Sequence, residues 1–257
     1  MTGLQIALLF AAAVLGGGLN AVAGGGSFIS FPALLFVGIP PIAANATNAV
    51  ALWPAGMAST FAYRKDIKTP RPTVLALGLA SFVGGTLGAV LLLLTSDTTF
   101  IYLLPWLLLV ASALFTLGGF LSRRLRGARE PREGRLVLLA GALPQLVIAI
   151  YGGYFGGGMG IMMMALWSVM GMTNIHEMNG LKGILGTIIN GTAVVAFILA
   201  KAVAWEPGIV MVIGATLGAY AGASLARRLD PRWVRWFVGL VAWAMTAVFF
   251  VKAYVSF

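Results

Sequence analysis

Two stretches of the sequence decide the fold. Residues 23–54 read AGGGSFISFPALLFVGIPPIAANATNAVALWP, and residues 156–190 read GGGMGIMMMALWSVMGMTNIHEMNGLKGILGTIIN. Each stretch contains a run of three glycines, followed by a short apolar segment and then a longer segment with asparagine. The glycine runs are 132 positions apart, and Asn-Ala-Thr-Asn at 45–48 lies 134 positions before Asn-Gly-Leu-Lys at 179–182. This order indicates an internal duplication with a break at the same place in each half, a pattern typical of transporters.

The rest of the chain is strongly apolar. Of its 257 residues 60% are hydrophobic and only 9% are charged, which excludes an ordinary water-soluble domain. Because a bilayer core of ~30 Å requires about 20 helical residues, we predict an all-α polytopic membrane protein with about eight full transmembrane helices. The predicted full spans are 5–22, 43–63, 73–94, 100–121, 136–155, 175–200, 206–226 and 236–255. The segments 27–37 and 159–170 are about half as long, and we predict a half-helix for each.

The N-terminus lacks a charged region and a convincing cleavage site ahead of its apolar run. We therefore expect the first segment to be a membrane span of the mature protein.

Basic residues divide the chain and predict its orientation. We expect a first transmembrane repeat at 1–122, a basic cytoplasmic linker at 123–135 and a second transmembrane repeat at 136–257. Lys and Arg concentrate in cytoplasmic loops. Inverted halves would place 14 basic residues inside and Lys201 and Lys252 outside, whereas parallel halves would place 12 inside and four outside. The comparison favours two homologous, inverted repeats with both termini outside, and parallel repeats remain the alternative.

Composition also excludes several kinds of partner and site. The net charge of +10 arises from short loop clusters and not from a continuous basic face, so we expect no nucleic-acid partner. The chain has no cysteine, and HEMNG at 176–180 lacks the second histidine of a zinc-binding HExxH motif. The methionines at 159 and 162–164 could bind Cu(I), but such residues usually fill apolar gaps. We expect no metal and no cofactor.

The two glycine breaks are candidate walls of a binding site. Backbone that leaves helical geometry inside a bilayer must be buried in protein or line a cavity. A helix that begins there directs unpaired N–H groups and its positive dipole end towards an anion. The candidate contacts are Gly25, Gly26 and Ser27 in the first break and Gly157, Gly158 and Met159 in the second. The alternative is that the glycines only allow helices to approach closely.

The ionisable residues His176, Glu177 and Lys182 lie near the start of the predicted span 175–200. A charge inside a bilayer costs a few kcal/mol, so Lys182 should face a cavity or a partner, and it is the strongest single candidate for binding an anionic substrate. The alternatives are an ion pair with Glu177 or extension of the lysine to the membrane interface. His176 and Glu177 are candidates for proton coupling, because a half-buried position can shift the titration of either group.

Four amides and one hydroxyl are further candidate substrate contacts. Amides can donate to the oxygens of an anion without adding charge. The candidates are Asn45, Thr47, Asn48, Asn179 and Asn190. Their alternative role is hydrogen bonding between packed helices, and for Asn190 alone this is the preferred interpretation.

The two stretches quoted above are similar to the paired motifs of the sulfite exporter TauE/SafE family of membrane transporters. The likeness extends over nearly the whole chain in length, duplication and basic central linker. It implies secondary transport, often export, of small sulfur-containing anions such as sulfite or organosulfonates across the cytoplasmic membrane. By this resemblance, 45–48 and 179–182 correspond to the Asn-Ala-Thr-Asn and Asn-x-Leu-Lys groups of the family. The second break departs from the family pattern, because a methionine-rich half-helix follows it, and this leaves the choice of anion open.

We therefore expect a multi-pass transporter of the cell (cytoplasmic) membrane that works by alternating access. Its expected partners are a small anionic substrate and the lipid bilayer, and the oligomeric state is left open. One alternative is an anion channel with the same site. The other is an intramembrane enzyme, which only His176 beside Glu177 and a hydroxyl such as Ser27 would support; we expect no enzymatic activity.

Overall fold

The computed structural model describes residues 1–23, 25–63, 65–125, 135–170, 172, 174–225 and 231–254. These residues form ten α-helices and no strand, which confirms the predicted all-α class. The helices are α1 Gly3–Ala23, α2 Ser27–Phe36, α3 Pro41–Tyr63, α4 Arg71–Leu94, α5 Asp97–Leu125, α6 Arg135–Tyr154, α7 Met159–Val169, α8 Ile175–Leu199, α9 Trp205–Leu225 and α10 Pro231–Tyr254. Residues 126–134, most of the predicted cytoplasmic linker, lie outside the described residues.

Four helical segments in the described ranges have the length and hydropathy of a membrane span. They are Gly3–Ala21, Arg71–Leu94, Asp97–Leu114 and Glu177–Leu199, and each overlaps a predicted span. Helices α3, α6, α9 and α10 have 20 to 24 residues each, which is about the length that a bilayer core requires. The count of eight full spans stays a prediction.

Both predicted half-helices are present, as α2 with 10 residues and α7 with 11. Gly158 precedes α7 with φ 80°, a left-handed conformation that glycine adopts at little cost. Gly38 follows α2 with φ 89°, and Pro41 is the first residue of α3. The backbone thus changes direction at glycines before α7 and after α2.

Aromatic packing anchors the first half-helix. The Phe31 side chain of α2 is fully buried, and its ring lies 5.9 Å from that of Phe155 and 6.4 Å from those of Phe100 and Phe249. Phe100 belongs to α5, Phe249 to α10, and Phe155 directly follows α6. Two of these three aromatic partners of the first half-helix therefore come from the second half.

The contacts of α1 with α9 are repeated between α6 and α4. At four positions a glycine lies so close to the facing helix that a Cβ atom would overlap its backbone, as expected for small residues in membrane bundles. The pairs are Gly218 with Val14, Gly222 with Gly18, Gly84 with Leu146 and Gly88 with Ile150. The two sets of pairs occupy matching positions. Val14 and Gly18 of α1 lie 132 positions before Leu146 and Ile150 of α6, and Gly84 and Gly88 of α4 lie 134 positions before Gly218 and Gly222 of α9.

Helices α3 and α8 run antiparallel. The Trp53 indole donates to the carbonyl oxygen of Thr187 at 3.1 Å and lies against Gly191. Thr60, further along α3, lies against Gly183, which comes earlier on α8. Moving forward on α3 therefore means moving backward on α8.

Helices α5 and α10 are antiparallel in the same way. Near the start of α5, Trp106 donates to the Tyr254 hydroxyl at 3.0 Å. Near its middle, the Ser112 and Thr246 hydroxyls are 3.1 Å apart, and these two residues are 134 positions apart in sequence.

Met1 and Tyr254, the first and last described residues, lie at the same end of the bundle. The amino group of Met1 forms a salt bridge of 3.0 Å with Glu206, at the start of α9. The backbone N–H of Ala204 donates to the Thr47 hydroxyl at 2.9 Å, which joins this region to the start of α3. Tyr254 donates to the Tyr102 carbonyl oxygen at 3.1 Å, close to the start of α5.

We predict that Gly218→Ala lowers the unfolding temperature in detergent. The new methyl group would overlap the Val14 carbonyl oxygen and separate α1 from α9, and overpacking of this kind costs about 1–3 kcal/mol. Gly78→Ala is the matched control, since a Cβ there would only reach Ile188 at 3.6 Å. Equal unfolding temperatures for the two variants would show that the close approach of α1 and α9 is not needed.

Candidate functional site

A cavity of about 100 Å³ lies where the two half-helices begin. Its walls come from α1, α2 and α3 of the first half and from α6, α7 and α8 of the second. The volume exceeds the ~10–15 Å³ that one ordered water requires, so the cavity can hold a small polyatomic ion.

Six of the residues predicted from the sequence line this cavity. They are Ser27, Asn45, Asn48, Met159, Lys182 and Asn190. The four glycines of the prediction, Gly25, Gly26, Gly157 and Gly158, are buried in the breaks and form no part of its lining.

Two other predicted residues point elsewhere. Thr47 is fully buried, and its hydroxyl accepts the Ala204 N–H, so it connects α3 to the segment before α9. Asn179 is not in the lining either, but its Oδ1 accepts a hydrogen bond of 2.9 Å from the Lys182 amine. Asn179 therefore orients the lysine side chain from outside the cavity lining.

Lys182 is the charged group of the cavity. Its aliphatic chain packs over the first turn of α7, where a Cβ on Gly160 would lie 3.1 Å from the lysine Cδ. Within the described part of the chain Lys182 forms no salt bridge. The positive charge is therefore left for a ligand that enters the cavity.

Glu177 is engaged away from the lysine, at the start of α8. One of its oxygens accepts the Thr69 hydroxyl at 2.7 Å and the Lys68 N–H at 3.2 Å, both in the connection between α3 and α4. The alternative in which Glu177 pairs with Lys182 is thus not observed. The side chain of His176, the other coupling candidate, lies outside the described part of the chain.

The two first-half asparagines are occupied by bonds within the protein. Asn48 donates to the Ser27 hydroxyl at 3.1 Å and accepts the Ser30 hydroxyl, while Asn45 donates to the Tyr154 carbonyl oxygen at 2.9 Å. Both asparagines are 3% exposed. These bonds fix α3 to the start of α2 and to the end of α6, so the two amides hold the cavity walls in place.

Two amides of the lining have no hydrogen-bond partner among the described residues. One is Asn190, and the other is Asn20 of α1, which the sequence prediction missed. The sequence signal that could have identified Asn20 was its position as an isolated amide in an apolar helix, four positions before the first glycine run. Apolar side chains, including Phe155 and Met163, complete the walls.

Several N–H groups at the half-helix starts are already bonded. Phe28 and Ile29 donate to the carbonyl oxygens of Gly25 and Gly26, each at 3.1 Å, and Ile161 donates to that of Gly158 at 3.0 Å. Fewer backbone N–H groups are therefore free to bind a ligand than was expected from the sequence at the start of a helix. This makes the side chains, above all Lys182, the main determinants of the site.

No group of three or more His, Cys, Asp or Glu side chains suited to a metal ion occurs in the ranges that the structure covers. The chemistry of the cavity is thus one cation, several neutral amides and apolar walls. Such a set is chemically suited to a small anion.

Comparison with known proteins gives a family match over nearly the whole chain. The family model described as "Sulfite exporter TauE/SafE" matches residues 9–249. No solved structure matches the chain.

Three curated relatives extend this match. A Haemophilus influenzae protein named "Probable membrane transporter protein" is 31% identical over 244 residues, which is 94% of this chain and 93% of the relative. A Sinorhizobium relative, "Probable membrane transporter protein ORF9", is 29% identical over 86% of this chain and 83% of its own length. The Escherichia coli protein "Probable membrane transporter protein YfcA" is 26% identical over 95% of this chain and 89% of its own length.

We predict that Asn48→Ala destabilises the protein and that Asn190→Ala does not. Removal of Asn48 leaves the Ser27 hydroxyl without its amide donor and removes one of the two acceptors of the buried Ser30 hydroxyl, at a cost of about 1–3 kcal/mol, whereas Asn190 has no partner to lose among the described residues. Thermal unfolding of both variants in detergent checks this. A larger loss of stability in Asn190→Ala would contradict the division between bonded and free amides.

Proposed function

This chain belongs to the sulfite exporter TauE/SafE family, and we propose that it is a secondary transporter that exports small sulfur-containing anions such as sulfite or organosulfonates. It is a multi-pass membrane protein, and we place it in the cytoplasmic membrane. The names of its curated relatives support transport as the activity. The observation that carries the proposal is the Lys182 amine, which lines the central cavity without a salt bridge among the described residues.

The composition of the cavity supports an anion as the substrate. A buried cation costs several kcal/mol unless an opposite charge compensates it, and a bound anion would supply that charge. The other polar groups of the lining are neutral amides and hydroxyls, which can donate to sulfonate oxygens without binding them too strongly for release.

We further propose that residues 1–122 and 136–257 are inverted repeats. The equivalent helices α3 and α8 run antiparallel, and so do α5 and α10. Equivalent helices of parallel repeats would run in the same direction.

Inverted halves give a physical basis for alternating access. Each half can adopt the arrangement that the other half holds, and exchange of the two arrangements opens the central cavity to the opposite side. At one end Thr47 of α3 bonds to Ala204, and at the other Glu177 of α8 bonds to Thr69. We propose that these are closing contacts for the outer and cytoplasmic sides respectively, since Lys68 and Thr69 of the basic connection between α3 and α4 bond to Glu177.

Glu177 is also the proposed point of proton coupling. A carboxylate accepts hydrogen bonds more strongly than a protonated carboxyl, so protonation would weaken its bonds to Lys68 and Thr69. Proton binding would thereby favour opening on the cytoplasmic side.

We predict that Lys182→Ala lowers uptake of labelled sulfite into proteoliposomes at subsaturating concentration by at least about tenfold. The variant loses the charge-assisted bond to the anion, worth about 1.5–3 kcal/mol. Lys252→Ala, at the exposed end of α10, is the control and should transport like the wild type. Unchanged uptake in Lys182→Ala would refute the electrostatic basis of the site, and ion currents at channel rates would favour a channel.

We predict that Glu177→Gln still transports sulfite but no longer responds to an imposed pH gradient. The glutamine oxygen can still accept from Thr69, while the titratable proton is lost. Glu206→Gln removes a different acid near a helix start, at the opposite end of the bundle, and should keep the response. A gradient response in Glu177→Gln equal to that of the wild type would exclude Glu177 as the coupling group.

A further inference from the structure

We infer that Asn20 is a substrate-binding residue, and that Asn20 and Asn190 together form the neutral part of the anion site. This inference rests on the proposed function, because it assigns contacts within the same cavity. It separates the amides into two groups. Asn45 and Asn48 position the walls, whereas Asn20 and Asn190 contact the substrate.

The surroundings of Asn20 leave its amide free. Asn20 is in the last turn of α1, where its Cβ packs against the first break: a Cβ on Gly26 would lie 2.9 Å from it. The residue lines the cavity and has no hydrogen-bond partner among the described residues. An amide without a partner and away from water costs about 1–3 kcal/mol, so a ligand or water in the cavity must satisfy it.

Asn190 occupies a comparable place at the second break. Its Oδ1 is 3.9 Å from the position that a Cβ on Gly156 would take, and it too has no partner in the part of the chain described. Asn190 is eight positions after Lys182 on α8, which is about 12 Å along the helix axis. The charged and neutral parts of the site are thus separated along α8.

The internal duplication supports a binding role for these amides. The position equivalent to Asn20 is Gly152, 132 residues later, and the position equivalent to Asn190 is Gly56, 134 residues earlier. All four residues line the cavity. At each equivalent pair, one half supplies an amide and the other supplies a glycine. A Cβ on Gly56 would meet no atom within 4 Å, whereas a Cβ on Gly152 would lie 2.5 Å from the Met159 sulfur. The amides are therefore not paired with each other across the two halves, and each is free to bond to a ligand in the cavity.

The test is equilibrium binding of labelled sulfite to the purified full chain in detergent. We expect Asn20→Ala to weaken binding by about three- to tenfold, the loss of one or two hydrogen bonds, with an unchanged unfolding temperature. Asn20→Ala with Asn190→Ala should weaken it further than either change alone. Gln5→Ala is the matched control, because Gln5 is an amide of the same helix that bonds to Thr2 outside the cavity.

A nearly isosteric variant guards against a folding defect. In Asn20→Asp a carboxylate would repel the anion, so we expect binding to fall by more than about tenfold. If the wild type binds sulfite and Asn20→Ala or Asn20→Asp binds it with the same affinity, the inference is overturned and the proposed function is left intact. If the wild type itself does not bind sulfite, the proposed function fails and this inference fails with it.

Discussion

Helices that break inside a bilayer leave carbonyl and N–H groups that lipid cannot bond, and the arrangement of this protein depends on how those groups are satisfied. In the first break the Ser30 hydroxyl bridges the Gly26 carbonyl oxygen and Asn48. In the second break the Tyr151 hydroxyl donates to the Gly157 carbonyl oxygen at 2.7 Å. Asn45 reaches from one half to the last residue of α6 in the other. The polar groups that stabilise the breaks therefore also hold the halves together around the cavity between them.

We propose that duplication followed by divergence suited the cavity to an anion. Asn48 and Lys182 occupy equivalent positions in the two halves. The asparagine donates and accepts a hydrogen bond in fixing the first break, whereas the lysine, among the described residues, bonds only to Asn179 and keeps its charge available. One half thus contributes structure at this position and the other contributes charge, and two identical halves could not divide the roles in this way.

Much of the fold could be predicted from the sequence, because its signals are local. Three glycines before an apolar segment of half the usual length predicted both half-helices, and an intramembrane lysine predicted the charged group of the site. What could not be predicted is which face of each helix meets which neighbour. Asn20 was missed because a single amide in an apolar helix does not indicate which neighbour its side chain faces. Thr47 was expected at the site, although it bonds to Ala204. Glu177 meets Thr69 across 108 positions of sequence, a contact that no local pattern encodes.

The central claim is that the cavity between the halves opens to each side of the membrane in turn and binds an anion. Because the chain has no cysteine, Gly56→Cys would place a single thiol in the cavity, at a position where a Cβ meets no atom within 4 Å. The measurement is its labelling by a membrane-impermeant thiol reagent, applied separately to each side of oriented membranes, with and without sulfite. Alternating access predicts labelling from both sides and protection by sulfite from both. Labelling from one side only, or labelling that sulfite does not change, would contradict the account.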